Sequence, residues 1–187
     1  MSPLYQSPED ERAEKEIIRA TFGRYSDADF EWTEKVDYYD ARVTLPSLGR
    51  VWLVEAKDRL CEKPDRCYTL GYMRRNKYKV DKSKVDLLVK AAKAEGATPM
   101  LAVRTYDLFV MLWNPAKLSD ANIDPAWQRQ QDYEKRHDAP DTAYIIPVDK
   151  VIDPGFADAA VERARKHDDM RLFARRIFRG TFPGDPS

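Results

Sequence analysis

The sequence predicts one α/β domain in which a helix, a group of strands, a second helix and further strands follow one another. Three observations support this prediction. The chain has 187 residues, a length that suits a single domain with its own core. Apolar residues recur at helical spacing over residues 11–22 and 83–95. The segments between and after these are rich in aromatic and β-branched residues, which is typical of strands.

The composition excludes several classes of protein. With 43% hydrophobic and 34% charged residues, the chain has the balance of a globular protein. No apolar run reaches the roughly 20 residues that a membrane helix requires, so we expect no membrane association. The N-terminus lacks the basic-then-apolar layout of a signal peptide, and we therefore expect the protein in the cytoplasm. Because 32 basic and 32 acidic residues cancel, net charge alone indicates no avidity for polyanions.

The first helix and the first strands are expected before residue 58. Ser7 can cap a helix that has Pro8 in its first turn, and Gly23 can end it. Residues 30–45 are expected to form a strand, followed by a turn at residues 46–49. A short apolar run then leads directly into Glu-Ala-Lys, which predicts a hairpin whose second strand is largely buried.

The same signals predict the elements that follow residue 82. Ser83 can cap a helix that runs through Glu95 and ends at Gly96. Two strands are expected after this helix, at residues 100–104 and 108–113. Two further helices are predicted, at residues 127–136 and 156–179. Between them, residues 143–147 are predicted to form an edge strand that Pro147 would terminate.

Two opposite charges leave the predicted buried strand together. Glu55 and Lys57 are two positions apart and therefore lie on the same face of a strand. A plain ion pair at a strand end is the simpler interpretation. Asp40 favours a metal site over a plain ion pair, because the hairpin turn can bring it beside Glu55. Two carboxylates that meet there repel each other unless a cation lies between them, and hard oxygen ligands suit Mg²⁺ or Mn²⁺.

The pattern of Asp40, fourteen intervening residues and then Glu55-Ala56-Lys57 resembles the PD-(D/E)xK nuclease superfamily. Tyr39 occupies the position of the proline that gives the motif its name. The resemblance covers residues 9–113. It implies the αβββαβ core of restriction-endonuclease-like and resolvase-like enzymes, with a central mixed sheet flanked by helices. Residues 114–180 would then be an elaboration with a C-terminal helical extension, and residues 181–187 a flexible tail.

The resemblance also implies an activity. Members of this superfamily are DNA nucleases in which a water activated by Mg²⁺ or Mn²⁺ hydrolyses a phosphodiester bond. Asp40, Glu55 and the backbone carbonyl of Ala56 would bind the metal, and Lys57 would orient the water. Asp37 is a rival to Asp40, but in a regular strand the two face opposite sides.

Two other regions are implicated by the resemblance. Family members often place a glutamate of the first helix near the metal, for which Glu16 is predicted and Glu14 is the alternative. The basic stretch after the motif is either a solvated face or a nucleic-acid contact, since tyrosines that can stack on bases are interspersed with the charges. The residues predicted to bind nucleic acid are Arg74, Arg75, Lys77, Tyr78, Lys79, Lys82 and Lys84.

The expected substrate is DNA, with RNA as an alternative, and the sequence does not distinguish cutting at ends from cutting within a strand. A homodimer is a further expectation, because many such enzymes act on two strands. The alternative function is a catalytically silent nuclease-fold module that binds DNA or protein without cutting.

Overall fold

The structure is a computed structural model that describes residues 8–33, 38–59, 61–63, 66–124, 143–148 and 150–155. The helices predicted at residues 127–136 and 156–179, and with them the C-terminal extension and tail, lie outside the described residues. So does Asp37. Within the described residues, none of the helices combines the length and the apolarity needed to cross a bilayer.

A six-stranded mixed sheet forms the centre of the fold. Its strands are β1 (Asp29–Trp32), β2 (Ala41–Leu45), β3 (Arg50–Asp58), β7 (Thr98–Arg104), β8 (Val110–Trp113) and β11 (Val151–Ile152). They lie in the order β1-β2-β3-β7-β8-β11. In the part of the chain that the structure describes, β3 and β7 pair in parallel, and the other neighbouring strands of this sheet pair antiparallel.

Helices cover both faces of this sheet. Helix α1 (Pro8–Phe22) packs on one face, where it meets Val54 and Ala56 of β3. Helix α3 (Lys82–Ala94) packs on the opposite face, against Leu53. Alternate residues of β3 therefore contact different helices, as the period of two in a strand requires.

The predicted α/β fold class is confirmed by this arrangement. The elements α1, β1, β2, β3, α3 and β7 occur in the order αβββαβ, with further elements inserted between β3 and α3, and the helices flank a central mixed sheet. The boundaries of the first two strands differ from the prediction. The single strand expected at residues 30–45 is an antiparallel pair, β1 and β2, since the chain reverses where Thr33 N donates to Asp40 O over 3.2 Å.

The start of α3 also differs from the prediction. The helix was expected to be capped by Ser83, but the N-cap is Asp81, whose carboxylate accepts a hydrogen bond from Ser83 N over 2.9 Å. Aspartate and serine are both good capping residues, so the sequence alone did not distinguish them.

The stretch between β3 and α3, which the sequence left unassigned, contains four elements. These are β4 (Cys61–Lys63), β5 (Arg66–Cys67), α2 (Leu70–Asn76) and β6 (Tyr78–Asp81). A second sheet joins β6 to β10 (Ala143–Ile146) and β9 (Ile123–Asp124) in the order β6-β10-β9. The prediction of an edge strand at residues 143–147 was therefore wrong: β10 is central, and Pro147 only follows its end.

Candidate active site

Asp40 is held against the end of β3 by two hydrogen bonds. Its backbone N donates to Val54 O over 2.9 Å, and its Oδ2 accepts from Ala56 N over 2.7 Å. The sequence predicted that Asp40 lies within a strand. In the structure it lies just before β2. The first residue of β2, Ala41, pairs with Val54, so β3 continues past the start of β2. Beyond Val54, the edge of β3 is therefore not covered by β2, and Asp40 occupies this opening.

The backbone of Ala56 faces the same opening. A strand residue directs its N–H and its C=O to the same side, and Ala56 N points to Asp40. The carbonyl of Ala56 is thus directed towards the Asp40 side of the strand. The Ala56 side chain itself is fully buried in the core beneath α1.

Lys57 brings two carboxylates together. Its Nζ lies 2.8 Å from Glu55 Oε1 and 3.3 Å from Glu14 Oε1. Glu55 is on the same strand face as Lys57, as predicted from their spacing, whereas Glu14 comes from α1. The contact with Glu14 is possible where β3 extends past the start of β2. The side chains predicted for catalysis at Asp40, Glu55 and Lys57 therefore lie together.

Burial, together with the crowding of carboxylates, sets the protonation of this site. Burial, and then the negative charge of Glu55, raises the pKa of Asp40 to about 8. Burial also raises the pKa of Glu14, although Lys57 acts in the opposite direction. Burial alone would lower the pKa of Lys57, but the three carboxylates around it together raise that pKa. Lys57 therefore stays protonated, and its single positive charge offsets only part of the surrounding negative charge.

The predicted residue Glu16 lies beside a different partner. Arg104, only 3% exposed, pairs with Glu16 and forms two bonds with Asp58, with Nε–Oδ1 at 3.0 Å and Nη2–Oδ2 at 2.8 Å. The structure places Glu14, which is 7% exposed, next to Lys57 instead. The geometry thus favours Glu14 over Glu16 as the glutamate that α1 supplies to the site.

A signal in the sequence could have distinguished the two glutamates. Glu14 precedes Ile17 and Ile18 by three and four positions, so it lies on the buried stripe of α1. Glu16 is off that stripe. A carboxylate on an apolar stripe needs a partner, and here Lys57 is the partner.

The donor set suits a divalent cation that retains water. Among the described residues, no three side chains of His, Cys, Asp or Glu are grouped as a complete metal site. Mg²⁺ typically uses one or two carboxylates together with water and substrate oxygens, and Asp40 and Glu55 can supply such a pair. Burial and the negative charge of Glu55 raise the pKa of Asp40, and a cation between the two carboxylates would offset their repulsion.

A cleft of about 680 Å³ opens next to Glu55 and Lys57 and is bounded by α2, β6 and α3. Four of the residues predicted to bind nucleic acid line it: Lys77, Tyr78, Lys79 and Lys84. The other three, Arg74, Arg75 and Lys82, are not among the lining residues.

Two of the predicted lysines also have acidic partners. Lys79 pairs with Asp124 at the rim of the cleft, and Lys82 pairs with Asp86 along α3. The pairing of Lys79 places β9 of the second sheet beside the cleft.

Arg59 is a cleft residue that the sequence analysis did not select. Its Nε donates to Tyr78 Oη over 2.9 Å, and its guanidinium carbon lies 5.5 Å from the centre of that ring. The same carbon lies 6.0 Å from the ring centre of Tyr68. Arg59 follows Lys57 by two positions, so continuing the same-face argument along β3 would have indicated it.

No family model matches the chain, and neither does any curated protein. Among solved structures, the chain is similar to Hjc, a Holliday junction resolvase from the archaeal hyperthermophile Archaeoglobus fulgidus. The sequences are 9% identical, the match covers 71% of this chain and 84% of the other, and the TM-score is 0.41. A similarity at this level supports no conclusion about substrate or mechanism.

Proposed function

We propose that this protein is a metal-dependent deoxyribonuclease that hydrolyses phosphodiester bonds. The observation that supports this proposal most is the meeting of Asp40, Glu55, Lys57 and Glu14 at the end of β3, beside a cleft with a cationic rim. Carboxylates that can hold a metal ion, a lysine and a cationic cleft are groups that metal-assisted hydrolysis of a phosphate ester can use.

Each residue has a role that follows from its position. Asp40, Glu55 and the carbonyl of Ala56 would hold Mg²⁺ or Mn²⁺. When bound, the ion would neutralise charge at the phosphate and activate water. Asp40 must first release its proton, because only the carboxylate is a ligand. The Lys57 ammonium donates hydrogen bonds to the attacking water or to a phosphate oxygen, and Glu14 holds that ammonium in place.

Cleavage of labelled DNA tests this proposal. Linear, circular, single-stranded and branched DNA would be incubated with Mg²⁺, with Mn²⁺ and with EDTA. We expect cutting that needs the metal and that Glu55→Ala and Lys57→Ala both abolish, while DNA binding by Lys57→Ala is largely retained. RNA substrates belong in the same panel, since RNA is the alternative substrate.

Glu11→Gln and Lys15→Ala are the matched controls. Glu11 and Lys15 also form a Glu–Lys pair on α1, with side chains 45% and 34% exposed, whereas the side chains of Glu14 and Glu55 are 9% and 18% exposed. These variants should cut like the wild type. Cutting that survives Lys57→Ala would overturn the assigned mechanism.

Binding of DNA without cutting of any substrate would instead favour the silent nuclease-fold module. Measuring the molecular mass in solution, with and without DNA, tests the predicted homodimer.

A further inference from the structure

The cleft beside Glu55 and Lys57 combines three chemically distinct zones, and an apolar floor is the first of them. Met73, Val85, Leu88 and Leu101 line it and are each at most 5% exposed. The volume of about 680 Å³ falls within the roughly 300–1,000 Å³ of small-ligand sites. Contacts with a phosphate backbone are polar and charged, so they would leave this apolar floor uncovered.

The second zone is an aromatic wall. Tyr68 and Tyr72 both line the cleft, with ring centres 5.6 Å apart and planes inclined at 83°. A flat ring that stacks on one tyrosine therefore meets the other edge-on, which is a favourable aromatic arrangement. Both rings are only half-buried. Arg59 fixes this wall, since its guanidinium contacts Tyr68 and Tyr78.

The third zone is charge. Five lining side chains are cationic and two are acidic: Lys57, Arg59, Lys77, Lys79 and Lys84 against Glu55 and Asp81. Lys57 and Lys79 are already paired with Glu55 and Asp124, so the cationic excess comes from the other three cations. The preferred occupant is thus an anion that also carries a flat ring able to reach an apolar floor. A nucleotide meets these conditions. A base within a duplex does not, because its faces are covered by its neighbours until it leaves the stack.

We infer that this cleft binds an unstacked nucleotide of single-stranded DNA next to the bond to be cut. The inference rests on the proposed nuclease function and specifies its substrate: a free strand end, a single-stranded segment or a locally opened duplex. Tyr72 stacks on the base, while Arg59 and Lys57 contact the adjoining phosphates.

Binding without catalysis tests the inference directly. The probe is a fluorescent thymidine strand of about 12 nucleotides, a length within the range of single-strand binding sites. It is compared in EDTA, by anisotropy, with an abasic strand of the same length and charge and with a duplex. We expect the abasic strand to bind about tenfold more weakly than the thymidine strand, as loss of base stacking predicts.

Variants of Tyr72 separate stacking from charge. Tyr72→Ala should remove most of the difference between the thymidine and abasic strands, whereas Tyr72→Phe keeps a ring face and should preserve it. Thermal unfolding checks that both variants fold. Equal affinity of the wild type for the two strands would overturn the inference. So would an unchanged difference in Tyr72→Ala, or tighter binding of the duplex.

Cleavage assays keep the two proposals distinguishable. If the wild type cuts single strands and duplexes equally and Tyr72→Ala alters neither, the nuclease proposal stands and the cleft inference fails. If the wild type cuts nothing but prefers the thymidine strand to the abasic strand, the nuclease proposal fails and the cleft still binds an unstacked nucleotide.

Discussion

At the scale of single residues, the carboxylates around Lys57 determine how the site responds to pH. Asp40 has an ordinary pKa of 3.8, and the folded protein raises it to about 8. Between these values the folded protein retains a proton that the unfolded chain releases. Stability therefore falls as pH rises through this interval, because the unfolded state binds fewer protons there.

We predict that the metal-free protein is more stable at pH 5 than at pH 8, and that Asp40→Asn reduces this difference. Asparagine retains an oxygen that can accept from Ala56 N but does not ionise. Urea unfolding in EDTA at several pH values measures the effect. Asp27→Asn is the control, because hydrogen bonds from Ser47 lower the pKa of Asp27 and keep it ionised throughout this interval. An unchanged slope in Asp40→Asn would contradict the assignment.

The two glutamates of α1 give a second prediction at this scale. Glu14→Gln removes the charge that positions the Lys57 ammonium, so we expect it to lower the cleavage rate about 10- to 100-fold, as loss of supporting ligand contacts typically does. Glu16→Gln should leave the rate within a few-fold, since Glu16 contacts Arg104 instead. Single-turnover cleavage with Mg²⁺ measures both. A larger loss in Glu16→Gln would return the assignment to Glu16.

At the scale of elements, Arg104 joins α1 to two strands. The residue lies at the end of β7, bonds Asp58 at the end of β3 and pairs with Glu16 on α1. Burial by itself would lower the pKa of Arg104, but the hydrogen bonds and charge of Asp58 raise it. Because Glu16 is two positions from Glu14, its pairing with Arg104 holds α1 in place close to the site. The packing of the helix is thereby connected to the geometry of the site.

We predict that Arg104→Ala lowers the free energy of unfolding by about 3 kcal/mol, since removing one partner leaves a buried charge uncompensated. Arg104→Lys should recover only part of this, because lysine cannot form the paired bonds to Asp58. The control is Arg42→Ala, whose more exposed pair with Glu95 should contribute less than about 1 kcal/mol. Urea unfolding compares the three, and equal losses for Arg104→Ala and Arg42→Ala would contradict the prediction.

At the scale of the whole molecule, the proposed metal binding would be coupled to folding. The carboxylates of the site come from α1, from the segment before β2 and from β3, so the unfolded chain does not hold them together. A ligand that binds only the folded state stabilises it by about 2.7 kcal/mol when present at a hundredfold excess over its Kd.

We predict that Mg²⁺ raises the unfolding temperature of the wild type and that Glu55→Gln loses this increase. Glu11→Gln, whose side chain pairs with Lys15 and not with Lys57, should retain it. Differential scanning fluorimetry over a range of Mg²⁺ concentrations measures the effect at pH 9, above the raised Asp40 pKa of about 8, where Asp40 has largely ionised. An equal increase in Glu55→Gln would show that the ion binds elsewhere.

The sequence alone determined the features that depend on local spacing. The period of two placed Glu55 and Lys57 on one face, and the period of 3.6 identified the stripes of α1 and α3. The succession of helix, strands, helix and strands follows from these periods and from the turns between elements, but the division of residues 30–45 into β1 and β2 does not. The same reasoning, applied to Ile17 and Ile18, would have selected Glu14.

Only the tertiary structure decided the features that join distant parts of the chain. The pairing of β6 with β10 made a predicted edge strand central, the contact of α1 with β3 placed Glu14 beside Lys57, and the packing of α2 against the sheet formed the cleft around Arg59. The physical reason is that spacing along the chain fixes which side a residue faces, whereas its neighbours across space depend on how all the apolar faces are buried together.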